Sequence, residues 1–217
     1  MTRAEVGKLI GDTGIIPAIR AGSAQDALFA AGAIFRSGIP VLELTMTVPD
    51  ALGVLADLRA EHPDCVVGAG TVLHAALAKE CLQAGAQFLT SPGLEESVIA
   101  VADEHDVAVI PGALTPTEVM AAMKSRADFI KVFPCSLLGG PGYIRALKAP
   151  FPDAPLIASG GVNQVTASEY LKAGACVLGI RGELIPSQAV QSRNEDWIRE
   201  LAGRFIKIVR ASRTREA

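Results

Sequence analysis

Short apolar runs alternate with longer amphipathic segments along most of this chain. Eight runs have the length and composition of buried strands. They lie at Ile15–Arg20, Val41–Met46, Val66–Val72, Phe88–Ser91, Ala108–Gly112, Phe129–Phe133, Leu156–Gly160 and Cys176–Ile180. Because segments with helical spacing lie between consecutive runs, the pattern predicts repeated strand–helix units and a parallel sheet.

The segments between the runs carry recognisable helix signals. The sequence Thr115-Pro116-Thr117-Glu118 combines an N-cap, a proline at the first helical position and a glutamate three residues after the cap. We expect Pro49 in the first turn of another helix and Asn163 as the cap of a third. A short helix at about 3–12 and a C-terminal helix at about 194–211 are predicted to flank the repeated units.

Eight strand–helix units in 217 residues predict a single domain, residues 1–217, with the (β/α)8 TIM-barrel fold. A doubly wound α/β sheet is the alternative. Neither G-x-G-x-x-G nor G-x-x-x-x-G-K-[ST] follows the first run, which removes the usual reason for preferring that alternative.

Composition and charge limit the class of partner. The net charge of -3 provides no field that would attract nucleic acid or an anionic membrane, and no apolar stretch approaches the ~20 residues of a membrane span. The four cysteines form no C-x-x-C pair, so we expect neither disulfides nor a metal site, and a cytoplasmic location. A small molecule is therefore the expected ligand.

Lys131 interrupts a run that otherwise reads as a buried strand. Strand side chains alternate, so Phe129, Lys131 and Phe133 share one face. Removal from water lowers the pKa of a lysine and favours the neutral amine that Schiff-base chemistry requires. The alternative is a lysine at a strand edge whose charged head reaches water.

In barrels of this type the reacting groups lie at the C-terminal ends of the strands. There the sequence places Arg20 after the first strand, an inward-facing Glu43 in the second, Thr71 after the third and Ser91 after the fourth. Glu43 is either a general acid/base or the ion-pair partner of Lys131. Arg20 either holds a carboxylate or phosphate, or is a surface cation.

Glycines after the last strands suggest an anion site. Ser159-Gly160-Gly161 precedes the predicted Asn163 cap, and its backbone N–H groups are suited to an anion, although paired glycines also form ordinary turns. Arg181 and Gly182 follow the eighth strand. Phosphate sites in these barrels often lie after strands seven and eight.

Seven segments together resemble the 2-keto-3-deoxy-6-phosphogluconate (KDPG) and 4-hydroxy-2-oxoglutarate (KHG) aldolases. They occur in the expected order and span nearly the whole chain. The segments are Ile16-Pro17-Ala18-Ile19-Arg20, Glu43-Leu44-Thr45-Met46-Thr47-Val48-Pro49-Asp50-Ala51, Val67-Gly68-Ala69-Gly70-Thr71-Val72, Ser91-Pro92-Gly93, Ile110-Pro111-Gly112, Phe129-Ile130-Lys131-Val132-Phe133-Pro134 and Gly160-Gly161-Val162-Asn163.

The resemblance implies a homotrimeric class I aldolase without metal or other cofactor. Lys131 matches the Schiff-base lysine, Glu43 the general acid/base, and Arg20 an arginine that can hold the substrate carboxylate. The residues that match the pyruvate end of the site are Thr71, Pro92 and Phe133. The implied substrate is a 2-keto-3-deoxy sugar acid, KDPG above all, with KHG as a further substrate.

The chain departs from the family pattern at two places. Some members carry an arginine where this chain has Thr47, a further candidate for substrate binding together with Ser159. Many members carry a Gly-Ser pair where this chain has Arg181-Gly182, so either Arg181 holds the phosphate or the preferred substrate lacks one.

Two other functions stay open on the residues alone. One is a barrel isomerase or epimerase that uses Glu43 as base and Lys131 only for electrostatic stabilisation. The other is a sugar-acid-binding barrel without catalytic activity.

Overall fold

A ring of parallel strands forms the centre of the computed structural model, which describes residues 1–214. The strands of this region are β1 (Ile15–Ile19), β2 (Val41–Thr45), β3 (Val66–Gly70), β4 (Phe88–Thr90), β5 (Ala108–Ile110), β6 (Gly112–Ala113), β7 (Ile130–Val132), β8 (Leu156–Ser159) and β9 (Val177–Ile180). Their order is β5-β4-β3-β2-β1-β9-β8-β7-β6, and all neighbours pair in parallel. The predicted α/β barrel is thereby confirmed.

The fifth predicted strand differs from the expectation, because Pro111 divides it into two short strands. β5 pairs with β4 and β6 pairs with β7, so the chain changes neighbours at the proline, which has no N–H to donate. The Pro111 carbonyl accepts the Lys131 amide at 2.9 Å, and the Val109 carbonyl accepts the Asp128 amide at 3.0 Å. These two bonds link the ends of the sheet.

Helices alternate with the strands and form the outer layer. Their bounds are α1 (Arg3–Thr13), α2 (Ala24–Arg36), α3 (Ala51–Glu61), α4 (Ala75–Gln83), α5 (Glu96–Glu104), α6 (Pro116–Lys124), α7 (Pro141–Lys148), α8 (Ala167–Lys172), α9 (Ser187–Gln191) and α10 (Glu195–Arg213), with a 3-10 turn at Ser136–Leu138. None of the helices within residues 1–214 combines the length and the apolar character needed to cross a membrane.

The start of α6 has the predicted capping geometry. The Thr115 hydroxyl accepts the Glu118 amide at 3.3 Å, and the Glu118 carboxylate accepts the Thr115 amide at 2.6 Å. The prediction for Pro49 was wrong, because α3 begins at Ala51 with Asp50 as its N-cap residue. Pro49 therefore lies before the helix rather than in its first turn.

Asn163 does not cap α8 directly. Its side-chain oxygen accepts the amides of Val165 and Thr166, both at 3.0 Å, and α8 begins only at Ala167. The Asn163 carbonyl accepts the Ala167 amide at 2.9 Å, so this turn leads directly into α8. The predicted helix therefore starts later than expected, with Thr166 rather than Asn163 at its N-cap position.

Alternation along β2 and β7 decides which side chains enter the barrel. Val41 packs with the apolar side chains inside the ring, whereas Leu42 and Leu44 pack in the layer between strands and helices. Phe129 belongs to the interior cluster, whereas Ile130 and Val132 belong to the outer layer. The predicted inward direction of Glu43 and Lys131 is confirmed.

Helix α1 closes the N-terminal end of the barrel. Val6 and Ile10 pack against the interior cluster of the ring. Arg3, with its side chain only 11% exposed, pairs with Asp103 and Asp128 at 3.0 Å each. The apolar packing of α1 and the ion pairs of Arg3 thus close this end of the barrel. The polar interior residues lie toward the other end.

The close approach of Pro92 to β6 generates a test of barrel closure. A Cβ added at Gly112 would lie 2.1 Å from the Pro92 carbonyl oxygen, so Gly112→Ala forces the backbone apart. We expect it to lower the free energy of unfolding by about 1–3 kcal/mol or more in urea denaturation. In the control Gly203→Ala, the new methyl meets nothing within 4 Å on α10 and should raise stability by about 0.5–1 kcal/mol. Equal effects of the two substitutions would contradict this account.

Candidate active site

A cavity of about 400 Å³ opens at the C-terminal ends of the strands. Eleven of the thirteen residues predicted for the site line it. They are Arg20, Glu43, Thr71, Pro92, Lys131, Phe133, Ser159, Gly160, Gly161, Arg181 and Gly182. The other two predicted residues, Thr47 and Ser91, are not on the cavity wall. The Thr47 hydroxyl lies 3.1 Å from that of Thr45.

An ion pair lies at the floor of this cavity. Lys131 Nζ is 3.2 Å from Glu43 Oε2 and 3.5 Å from Oε1. The two side chains are 13% and 6% exposed, so the pair is almost removed from water. Such a pair exchanges a proton without any rearrangement of the backbone, which is what acid–base chemistry at a lysine needs.

The strand order places these two side chains on opposite sides of the barrel. Glu43 pairs with Ala18 of β1 and Gly68 of β3, while Lys131 pairs with Gly112 of β6 and Ile157 of β8. β2 and β7 are separated along the sheet by β1, β9 and β8. The ammonium and the carboxylate therefore meet across the interior of the barrel, not along one edge of it.

Gly70 provides the space for the Glu43 carboxylate. A Cβ at Gly70 would lie 2.1 Å from Glu43 Oε1, closer than any real contact. A glycine is therefore needed at this last position of β3 because the Glu43 carboxylate occupies the space of a side chain, and not because a turn needs its backbone conformation.

Thr90, which the sequence reading did not identify, completes the polar cluster. Its hydroxyl donates to Glu43 Oε2 at 2.9 Å and lies 3.5 Å from Lys131 Nζ. The prediction for Ser91 was wrong, because the Ser91 hydroxyl donates to the Gly93 carbonyl at 2.7 Å and is not part of the cavity wall. The signal was present in the alternation of β4, since Thr90 shares its face with the interior residue Phe88.

The upper wall includes a strained residue and an aromatic ring. Thr71 has φ 62, an unusual conformation for a β-branched residue, and it follows β3 directly. Strain of this kind is concentrated at functional sites, where the surrounding structure maintains it. The ring of Phe133 is half-buried, and its centroid lies 5.8 Å from Lys131 Nζ.

The glycine pair forms a turn beside the cavity. Gly160 and Gly161 have φ 86 and 84, and a Cβ at Gly161 would lie 2.0 Å from Ser136 Oγ. The Gly160 carbonyl accepts the Ser136 amide at 3.1 Å, which fixes the turn against the segment after β7. Both glycines are therefore required by the backbone path.

Two arginines border the cavity without a protein partner. Across residues 1–214, the guanidinium groups of Arg20 and Arg181 take part in no hydrogen bond or ion pair, and both side chains are exposed. Both also border an adjoining cavity of about 330 Å³. Unpaired guanidinium groups in a concave wall are suited to carboxylate or phosphate.

Cys135 lies close to the site but is not a candidate nucleophile. Its thiol is fully buried and donates to the Gly160 carbonyl at 3.4 Å. Burial raises its pKa, which disfavours the reactive thiolate. In the part of the chain that the structure describes, no group of three or more His, Cys, Asp or Glu side chains is arranged to hold a metal ion.

Comparisons with known proteins agree on one family. The sequence model of the family described as "Aldolase: KDPG and KHG aldolase" matches residues 6–201. The chain is 34% identical over 194 residues to the KHG/KDPG aldolase of Escherichia coli K12, a match covering 89% of this chain and 91% of that protein. It is 32% identical over 196 residues to the 2-dehydro-3-deoxy-phosphogluconate aldolase of Treponema pallidum, covering 90% and 93%.

A solved structure supports the same likeness. The KDPG aldolase of Legionella pneumophila, with pyruvate captured at low pH as a covalent carbinolamine intermediate, has a TM-score of 0.84 and 30% identity to this chain. The match covers 90% of this chain and 95% of the Legionella chain.

The packing of Glu43 on Gly70 generates a test of the site geometry. Gly70→Ala displaces the Glu43 carboxylate, and we expect it to lower kcat for aldol cleavage, the reaction that the resemblance implies, by about 100-fold. A coupled assay of pyruvate release measures the rate, and circular dichroism verifies the fold. In the control Gly142→Ala on α7, the new methyl meets nothing within 4 Å, and turnover should not change. Unchanged turnover in Gly70→Ala would show that the carboxylate position is not critical.

Proposed function

This chain belongs to the KDPG and KHG aldolase family, and we propose that it cleaves a 2-keto-3-deoxy sugar acid through a Schiff base on Lys131. The proposed substrate is KDPG, which would yield pyruvate and glyceraldehyde 3-phosphate. KHG, which would yield pyruvate and glyoxylate, is proposed as a second substrate.

One observation carries the proposal: the only carboxylate within 4 Å of Lys131 Nζ in residues 1–214 is Glu43, at 3.2 Å, on the floor of the cavity. A nucleophilic lysine needs a base in reach to remove its proton. The carbinolamine that pyruvate forms in the Legionella relative is the intermediate that such a lysine would produce.

The first steps build the imine. Glu43 accepts a proton from the Lys131 ammonium, and the neutral Nζ attacks the C2 carbonyl carbon to give a carbinolamine. Glu43 then returns a proton to the C2 hydroxyl, which leaves as water. The product is a protonated imine, an acceptor for the electrons of the bond to be broken.

Cleavage uses the same carboxylate. Glu43 removes the proton of the C4 hydroxyl, directly or through water, and the C3–C4 electron pair moves toward the iminium as the aldehyde forms. The enamine left on Lys131 takes a proton at C3 from Glu43. Hydrolysis then releases pyruvate and regenerates the amine.

The remaining wall residues orient the substrate. We propose that Arg20 holds the C1 carboxylate and that the pyruvate portion lies among Thr71, Pro92 and Phe133, with Ser159 nearby. Thr47 lies off the wall, which leaves Arg20 as the arginine for this role.

We propose that the distal phosphate binds at the other side of the cavity. The groups available there are the Arg181 guanidinium and the backbone of Gly160, Gly161 and Gly182. Arg181 is the main source of positive charge on this side of the cavity, since the Asn163 side chain already accepts the amides of Val165 and Thr166 ahead of α8.

A homotrimer and a cytoplasmic location complete the proposal. The trimer comes from the family resemblance, and the location from four cysteines that are all free thiols. Sedimentation equilibrium should give a molecular mass three times that of one chain.

Borohydride reduction in the presence of pyruvate tests the chemical proposal. Reduction of the imine should leave one stable adduct per chain, located on Lys131 by peptide mass spectrometry. Lys131→Met should give no adduct, while Lys124→Met, which removes an exposed lysine of α6, should label like the wild type. Turnover without an adduct would instead favour an isomerase or epimerase that uses Glu43 as base.

Removal of Arg181 tests the phosphate assignment. Arg181→Ala should lower kcat/KM for the 6-phosphorylated acid by about 10- to 100-fold and leave the unphosphorylated acid within about twofold, because one charge-assisted contact is lost. Arg199→Ala, an exposed arginine of α10, is the matched control. Equal losses on both substrates would place the phosphate elsewhere.

A further inference from the structure

We propose that Thr90 is a positioning residue of the reaction: its hydroxyl holds the Glu43 carboxylate in the orientation for proton transfer and leaves Oε1 as the oxygen that serves the substrate. This inference rests on the proposed aldolase function and assigns a role to a residue outside the matching family segments. The role comes from hydrogen bonds inside the barrel.

The geometry distinguishes the two oxygens of Glu43. Oε2 accepts the Thr90 hydroxyl at 2.9 Å and lies 3.2 Å from Lys131 Nζ. Oε1 has a single contact of hydrogen-bond length among residues 1–214, to Lys131 at 3.5 Å. Oε2 is therefore committed to protein donors, and Oε1 retains free acceptor capacity.

Burial makes this bond effective. Thr90 is 1% exposed and Glu43 is 4% exposed, so bulk water has little access to the hydroxyl or to Oε2. Beneath the pair lies a cavity of only about 10 Å³, with the apolar side chains of Ile16, Ile110 and Ile157 in its wall. That space is too small for the carboxylate, so the alternative position open to Glu43 is upward, toward the large cavity.

Distance decides between positioning and proton relay. The hydroxyl of Thr90 lies 3.5 Å from Lys131 Nζ, whereas the carboxylate lies 3.2 Å from it. The carboxylate lies within hydrogen-bond distance of the ammonium, so a direct transfer between lysine and glutamate needs no relay through the threonine. Thr90 acts through Glu43 and is not itself a catalytic residue.

Loss of the hydroxyl should have a specific kinetic signature. Thr90→Val keeps the shape of the side chain but removes the donor to a charged group. We expect kcat for aldol cleavage to fall about 10- to 100-fold, with KM within about twofold, since a hydrogen bond to an ion is lost at a group that acts in the chemical steps.

The decisive experiment compares Thr90→Val with Thr90→Ser. The serine variant keeps the hydroxyl and should restore kcat to within about threefold of the wild type, with KM unchanged in both variants. Pyruvate and borohydride should label Lys131 to completion in both variants. If Thr90→Val does not fold, Thr90→Ala takes its place, because it removes the same hydroxyl and adds no atoms.

The outcomes separate this inference from the proposed function. No label on wild-type Lys131 would refute the aldolase mechanism itself. Complete labelling, with Thr90→Val and Thr90→Ser equally active or equally impaired, would refute only the role of the Thr90 hydroxyl. A lower melting temperature in Thr90→Val with an unchanged kcat would show that Thr90 acts in packing alone.

Discussion

The structure depends on a charged pair that is held across the inside of a barrel. Lys131 and Glu43 come from strands that are not neighbours, and they meet only because the ring is narrow and both side chains point inward. A lysine or glutamate alone at this depth would be costly, because an isolated charge loses its hydration without compensation. The buried lysine and the buried glutamate are therefore each stabilised by the charge of the other.

The two ends of the barrel serve different purposes. At the N-terminal end, α1 brings Val6 and Ile10 onto the interior cluster, and Arg3 fastens the helix through two carboxylates. At the C-terminal end, glycines leave room for functional side chains, and Thr71 adopts a strained conformation. Apolar interior residues stabilise the fold at the N-terminal end, and paired polar residues form the site at the C-terminal end.

Periodicity predicted much of this arrangement. A period of two fixed the inward faces of β2 and β7, and the alternation of runs and amphipathic segments fixed the barrel. Local signals were less reliable, because Pro49 and Asn163 favour turns as well as helix starts, and only the path of the chain decides between them. Thr90 was missed for a related reason. β4 has only three residues, and a shift of one residue in the predicted alternation directs Ser91 instead of Thr90 toward the barrel interior. The role of Gly70 follows from packing across strands, which no single segment reveals.

The most direct measurement of the central claim is a crystal structure of the protein soaked with pyruvate and flash-cooled. The account predicts continuous electron density from Lys131 Nζ to C2 of pyruvate, with a Glu43 oxygen within hydrogen-bond distance of the adduct. Pyruvate bound without a covalent bond to Lys131, or attached to a different lysine, would contradict it.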